Sequence, residues 1–341
     1  MSNEYLITGG AGFIGSNYVN RLLQRKAKVT IYDNLSRAGA PLNLEWLRAT
    51  HGEKSFQLVV GDVRDAALVN EVVHQADVIV HLASQVAVTT SVMQPREDFE
   101  INAQGTFNVI EAARTSGQDP VVLFASTNKV YGGMEDVPVV ESDTRWYYEN
   151  LEMGCPETQP LDFHSPYGCS KGAGDQYVRD YARIYGLRSV VCRQSCIYGP
   201  RQFGVEDQGW LAWMVIAAIT GRQISIYGDG KQVRDVLHVD DLLDAYDAVI
   251  ANIEKVKGKV YNFGGGPENV ISVWKEFGPM LEKLLGKPIP VLRGDWRPGD
   301  QKIFVADIRK AEEELGWKPK INVELGIERL FNWVMENRQL F

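Results

Sequence analysis

Three observations predict an α/β fold in which a doubly wound parallel sheet is joined by a smaller C-terminal α/β domain. Short apolar, β-branched segments alternate with helix-period segments through the first half of the chain. A glycine-rich turn, GGAGFIG, links the first strand to the first helix. A segment of helical length then carries Tyr167 and Lys171 four positions apart. Parallel strands need long crossover connections, and helices laid on both faces of a sheet supply them.

Composition narrows the function. The 341 residues suffice for one large domain or two joined ones, and 45% hydrophobic with 23% charged residues is ordinary for a globular protein. A net charge of −8 argues against nucleic acid or an anionic membrane as partner, but leaves room for a local arginine cluster facing a small anion. The first strand begins almost at once, without a basic-then-apolar signal segment, and no run approaches the roughly 20 apolar residues of a membrane span. The four cysteines (Cys155, Cys169, Cys192 and Cys196) form no CxxC pair, and no histidine–cysteine spacing suits a metal. A reducing cytoplasm and no metal are therefore expected.

Taken in order, residues 5–8 form a strand that runs into Gly9, Gly12 and Gly15. The apolar spacing of Phe13, Ile14, Tyr18, Val19 and Leu22 then reads as a helix. Strand, glycines and helix stand in the order that lets a pyrophosphate approach backbone N–H groups at a helix N-terminus, the arrangement of a Rossmann-type dinucleotide site. A second strand, 29–32, ends at Asp33, whose carboxylate suits ribose hydroxyls and repels a 2′-phosphate. NAD is thus preferred over NADP, with Arg37 the nearby group able to reach a phosphate. Alternation continues through strand 56–60, helix 66–75, strand 78–82, helix 96–116 and strand 121–125.

Ligands of such sheets bind beyond the carboxyl ends of the strands, where GDVRD (61–65), HLASQV (81–86) and STNKVYG (126–132) fall. The expected cofactor-binding positions are Gly9, Gly12, Phe13, Ile14, Gly15, Asp33, Asn34, Ser36, Arg37, Asp62, Val63, Leu82, Ala83, Ser84, Gln85, Asn102, Ser126, Tyr167, Lys171 and Ser195. Asp62 would hold the adenine amino group. Asn102 would fix a loop or cap a helix. The turn-rich, aromatic stretch 133–163 breaks the alternation and reads as a wall of a ligand pocket or as a surface excursion.

Tyr167 and Lys171 stand one helical turn apart, on one face. Alone, such a pair is usually an ordinary helix face. A tyrosine with its ordinary pKa of about 10 is a poor base at neutral pH, but an adjacent ammonium and a cationic nicotinamide ring favour the phenolate. The pair would then accept a hydroxyl proton as hydride leaves the same carbon. Beyond it, a strand at 189–193, a helix with Trp210 and Trp213, a helix opened by Asp240 and Asp241, and a strand at 259–263 returning to the first sheet are expected. Residues 272–341 read as helical, with WRPGD (296–300) between a short strand and the final helices. The domains expected are 1–198 plus 236–266 for the cofactor and 199–235 plus 267–341 for substrate.

TGGAGFIG, Asp33, GDVRD, HLASQ, STNKVYG, YGCSK, YGPRQ, QVRDVLHVDD and RPGD together resemble the extended short-chain dehydrogenase/reductases, specifically nucleotide-sugar epimerases and dehydratases, across nearly the whole chain. DFHSPYGCSKG, STNKVYG and GDGKQVRDVLH are most similar to epimerases that invert C2 of a CDP-linked dideoxyhexose in bacterial surface-polysaccharide synthesis. The resemblance implies Tyr167 as base, Lys171 as its partner and ribose ligand, Thr127 sharing the substrate hydroxyl, and Ser126 beside the cofactor. It implies Arg234, Arg297 and Arg201 as diphosphate ligands, and Tyr227 facing the nucleoside base. Cys196 departs from the asparagine that many relatives carry there. It either alters sugar placement or is a small packing residue. His164 would hydrogen-bond the sugar or its oxyanion, or serve its loop structurally. The family's dehydratases follow the serine or threonine with an Asp-Glu pair, whereas this chain has Asn128 and Lys129, which do not supply that acid and base. The implied reaction is C2 epimerisation of a CDP-hexose with recycled NAD. C4 epimerisation of another nucleotide-hexose, net reduction and non-catalytic NAD binding are the rivals. The resemblance also implies a homodimer built on helices near residues 96–116 and 166–185.

Overall fold

The computed structural model describes residues 3–296 and 300–341. From the N-terminus, β1 (Glu4–Thr8), α1 (Phe13–Gln24), β2 (Lys28–Asp33), α2 (Ala40–His51), β3 (Gln57–Val60), α3 (Ala66–Val73) and β4 (Val78–His81) alternate as the hydrophobic pattern requires. Next come α4 (Val88–Met93), α5 (Pro95–Phe99), a π turn (Glu100–Gln104), α6 (Gly105–Thr115) and β5 (Val121–Thr127). A hairpin of β6 (Val139–Glu141) and β7 (Trp146–Tyr148) precedes the long α7 (Ser165–Tyr185). There follow β8 (Arg188–Gln194), β9 (Cys196–Tyr198), α8 (Trp210–Thr220), β10 (Ile224–Tyr227), β11 (Val233–His238), α9 (Val239–Ala251), α10 (Ile253–Val256) and β12 (Val260–Phe263). The chain finishes with β13 (Val270–Ser272), α11 (Phe277–Leu285), β14 (Val291–Gly294), β15 (Ile303–Phe304), α12 (Arg309–Leu315) and α13 (Val323–Glu336).

Seven strands form one sheet in the order β12-β8-β5-β4-β1-β2-β3, with β1 parallel to β2 and β4. The order reverses at β1, so the crevice beyond the carboxyl ends of β1 and β4 is the switch point where such sheets bind ligands. As expected, the strand near residue 260 returns to this sheet. β4 is buried along its whole length, as its unbroken run VIVH demands in a sheet covered on both faces.

Three expectations need correction. The helix expected over 96–116 is three segments, because the π turn interrupts it. The helix Ala40–His51 is an addition to the expected elements, although Pro41 near its start and Gly52 just beyond its end are the usual punctuation. In the C-terminal stretch β14 is the short strand expected ahead of residue 296, while β13 and β15 are additions.

The chain divides into two compact units, Met1–Val130 with Ser165–Arg193 and Leu243–Tyr261, and Tyr131–His164 with Gln194–Leu242 and Asn262–Phe341. Residues 131–164 thus group with the second unit, whereas the expected boundaries keep them with the first. The first unit's core packs Leu6, Ile79, Val109, Ile110, Phe124 and Val178. The second is built around α8, whose residues 211–219 are apolar on nearly every side and pack with Phe277, Leu281, Ile327 and Leu330. Among the described residues no helix is long and apolar enough to cross a membrane.

Candidate active site

The glycine turn is shaped by close approach. Gly9 has φ +70°, and a Cβ there would lie 2.8 Å from the Ala83 nitrogen. A Cβ on Gly15 would lie 2.3 Å from the Gly9 carbonyl oxygen, so neither position admits a side chain without opening the turn. Gly12 caps α1 without any side-chain bond, leaving the helix N-terminus and its first turn, Phe13 and Ile14, facing the crevice end of β1. This cradle fits a dinucleotide pyrophosphate.

Asp33 stands at the end of β2 as expected. One carboxylate oxygen accepts from the Ala11 N–H at 3.0 Å and the other from Leu35 at 2.8 Å. Burial raises its pKa, and these two bonds oppose the rise. Asn34 bonds Asp62 and Ser36 bonds back to Asn34, while Arg37 reaches the surface. Asp62 is more committed than expected. The Arg64 side chain grips it in two bonds of 2.9 and 2.8 Å and, with help from Asn34, pulls its pKa down to about 2. Its carboxylate therefore already serves this local clamp. Val63 is buried beside it.

Tyr167, Lys171 and Asp175 recur every four residues along α7 and are all buried. Thr127, at the end of β5, hydrogen-bonds the Tyr167 phenol. The Lys171 ammonium donates to the Ala125 carbonyl at 2.6 Å and lies 4.4 Å from the centre of the Phe124 ring. Electrostatics depart from the sequence expectation. Burial pushes Tyr167 up to about 12, with Thr127 opposing and Asp98 reinforcing the rise. Burial likewise draws Lys171 down to about 7, against the pull of Asp175 and Asp98. The lysine alone does not make a phenolate here. Burial dominates the phenol's shift.

Beneath this pair, Ser126 donates to Asp175 at 2.7 Å, and Arg193 holds the same carboxylate. The loop after β4 is braced from behind. Asn102, inside the π turn, accepts from Ser84 Oγ and Gln85 N–H, and donates to the Gln85 carbonyl, Asp98 and Ser170. It fixes a loop, one of its two expected roles. The Gln85 side chain is spent on Ala87 and Asp98, while Leu82 and Ala83 reach back to Thr8 Oγ1 by their N–H groups. Asn128 is buried, and Lys129 donates its N–H to Thr127 Oγ1.

In the second unit, Arg234 is nearly buried and pairs with Asp300 at 3.0 Å. Arg201 takes a left-handed backbone, φ +69°, and its guanidinium lies 5.6 Å from the centre of the Trp333 ring. Tyr227 donates its hydroxyl to Glu206 at 3.0 Å and pairs with Gly294 across β10 and β14. Cys196 packs against the core around α8, in keeping with a small packing residue. The Ser195 hydroxyl donates to Asp235. His164 is exposed, with Nε2 3.0 Å from Asp162. Arg297 lies outside the described residues. Sequence reasoning missed Asp98, Ser170, Asp175 and Arg193. Of these, Asp175 had a signal, since it continues the stripe of Tyr167 and Lys171.

A parallel sheet with its glycine cradle at the switch point, an acidic strand end and a buried Tyr-x-x-x-Lys helix define an enzyme of the dinucleotide-dependent, nucleotide-sugar-modifying class. The chain belongs to the GDP-mannose 4,6 dehydratase family, which matches residues 6–330. It is 42% identical to CDP-paratose 2-epimerase of Salmonella typhi over 97% of this chain and 98% of that one. It is 32% identical to a putative UDP-glucose 4-epimerase of Methanocaldococcus jannaschii, covering 98% and 99%. Among solved structures it resembles dTDP-glucose 4,6-dehydratase from Streptomyces venezuelae with NAD and TYD bound, at TM-score 0.84 and 31% identity over 99% and 98% of the two chains. UDP-glucose 4-epimerase from Thermotoga maritima with UDP-glucose gives TM-score 0.83 at 28% identity over 98% and 99%.

Proposed function

We propose that this chain is an NAD-dependent epimerase that inverts C2 of a CDP-linked hexose, of the CDP-paratose to CDP-tyvelose type. The observation that carries the reading is the proton-transfer pair Tyr167–Thr127, followed by Asn128 and Lys129 where a dehydrating site needs two carboxyl groups. Near-full-length similarity to a CDP-paratose 2-epimerase supports the substrate class.

The glycine cradle and Asp33 would hold NAD, and Lys171 its nicotinamide ribose. The chemistry supplied by bound NAD is acceptance of the C2 hydride, leaving a 2-keto sugar, and its return to the opposite face. Tyr167 takes the C2 hydroxyl proton and gives it back, and Thr127 orients that hydroxyl through its own bond to the phenol. A ketone at C4 would acidify C3 and C5 but not C2, so direct oxidation at C2 is the economical route. Arg234, Arg201 and Arg297 are the diphosphate ligands, suited by their planar donors, and Tyr227 faces the base. His164 serves the sugar or its oxyanion. The same reading makes the protein a cytoplasmic homodimer, joined through the α6–α7 face.

Incubation of the pure protein with CDP-, UDP- and GDP-hexoses, followed by NMR, tests the reading. Inversion at C2 of a CDP-sugar with a C2 deuterium retained is the expected result, and solvent deuterium at C2 would replace hydride transfer by enolisation. Inversion at C4 of a UDP-sugar is the second reading, favoured by the likeness to UDP-glucose 4-epimerases. Tyr167→Phe should abolish turnover while NAD stays bound.

A further inference from the structure

One buried carboxylate has no part in the chemistry above. Asp98, at the end of α5, is 1% exposed, yet its two oxygens are fully engaged. Oδ2 accepts from Ser170 Oγ at 2.5 Å, and Oδ1 accepts from Gln85 Nε2 at 2.9 Å and Asn102 Nδ2 at 3.1 Å. Ser170 lies between Tyr167 and Lys171 on α7 and also accepts from Asn102 at 3.1 Å. A carboxylate with three donors and no proton of its own to give is an acceptor-only hub.

We propose that Asp98 is a positioning residue for Tyr167 and Lys171: through the Ser170 hydroxyl it pins the early turns of α7 to the loop carrying Gln85, and its buried charge faces both members of the pair. This rests on the reading of Tyr167 as the base. The groups facing Tyr167 are Thr127 from β5 and Asp98 from α5. Those facing Lys171 are Asp175 on its own helix, Asp98, the Ala125 carbonyl, the Phe124 ring, and His81, which burial keeps neutral. Asp98 is thus the charge common to both. Its charge opposes loss of either proton, the lysine's or the phenol's, so ionisation of the base is favoured by another positive charge arriving beside it.

Full-length protein as purified, labelled with 15N at lysine Nζ and 13C at tyrosine Cζ, gives the readout by NMR titration. Lys171→Met and Tyr167→Phe assign the signals. Asp98→Asn should lower both midpoints by about half a pH unit or more. Ser170→Ala, which keeps the charge and cuts the link, should reduce kcat for the CDP-hexose about fivefold or more with KM little changed. A folded Asp98→Asn protein with both midpoints unmoved overturns the charge role, and Ser170→Ala with unaltered kcat overturns the positioning role. Should Asp98→Asn fail to fold, Ser170→Ala decides alone. Turnover retained in Tyr167→Phe removes the proposed base itself, whereas an inactive Tyr167→Phe beside unmoved midpoints removes only the role of Asp98.

Discussion

Arg193 grips Asp175 through two hydrogen bonds of 2.9 Å, Nε to one carboxylate oxygen and Nη2 to the other, with side chains 2% and 0% exposed. Ser126 and Gln176 occupy the remaining acceptor positions at 2.7 and 2.8 Å. Breaking the pair strands a charge in the core. Arg193→Ala should cost about 3–5 kcal/mol of stability, and Ser126→Ala only about 1 kcal/mol. Urea unfolding checks both, and equal losses would contradict the buried-charge argument.

Thr127 bonds the phenol directly, so its hydroxyl matters more than its volume. Thr127→Val should lower kcat on the order of a hundredfold, with KM little changed, while Thr127→Ser stays near the parent. Steady-state rates of CDP-hexose epimerisation decide it. A Thr127→Val enzyme as fast as the parent beside a slow Thr127→Ser enzyme would mean the methyl group, not the hydroxyl, is needed.

Two imidazoles are kept neutral. Burial pulls His81 down to about 3, with Lys171 adding to the fall, and burial pulls His238 to about 4. Both folded values lie below the ordinary 6.5, so the unfolded chain takes up these protons first. The associated stability is complete above about pH 6.5 and is lost as pH falls, each histidine adding up to about 1.4 kcal/mol per pH unit. The loss runs to about pH 4 for His238 and about pH 3 for His81. Urea midpoints between about pH 7 and pH 4.5 should fall steeply, and less steeply in His81→Gln. An identical slope in that variant would assign acid sensitivity to other groups.

At Gly15 a methyl group would meet the Gly9 carbonyl at 2.3 Å. Gly15→Ala should therefore open the turn and weaken NAD binding roughly tenfold or more, as measured by calorimetry. Undiminished affinity would show that the turn relaxes without losing its shape.

On the outer face of α6 and α7, Phe107, Tyr177, Ile184 and Tyr185 are 39%, 50%, 66% and 56% exposed. Phe107 and Tyr177 meet edge to face at 5.7 Å. So large an apolar group is costly to leave in water, and a second copy would cover it. Phe107→Arg combined with Tyr177→Glu should turn a dimer into a monomer in sedimentation velocity. A monomeric parent would end that reading.

Much of the first unit is legible in the sequence because its signals are local. Glycine spacing, Asp33 one strand on, and the Tyr167–Lys171 interval each follow from a fixed backbone geometry. What escapes is whatever depends on distant pairing. Asp98 is an ordinary helix residue until α7 brings Ser170 to it, and Arg193 is an ordinary strand residue until Asp175 faces it. The sense of the Tyr167 shift escapes for a like reason, since burial is a property of the whole fold. Asp62 reads as a free carboxylate because nothing in GDVRD signals that Arg64 folds back two residues onto it.

The wide turn at Glu100–Gln104 acts as a vernier between two halves of one helical run. In a regular helix eight residues advance by about 100° each, which would leave Asp98 and Thr106 roughly 80° apart around the axis. The looser winding absorbs that offset. Both side chains are 1% exposed, joined through Asn102 at 3.1 and 2.6 Å. Deleting a single residue there would rewind the segment and swing one of the two outwards, so chain length at this point is as stringent a requirement as side-chain identity.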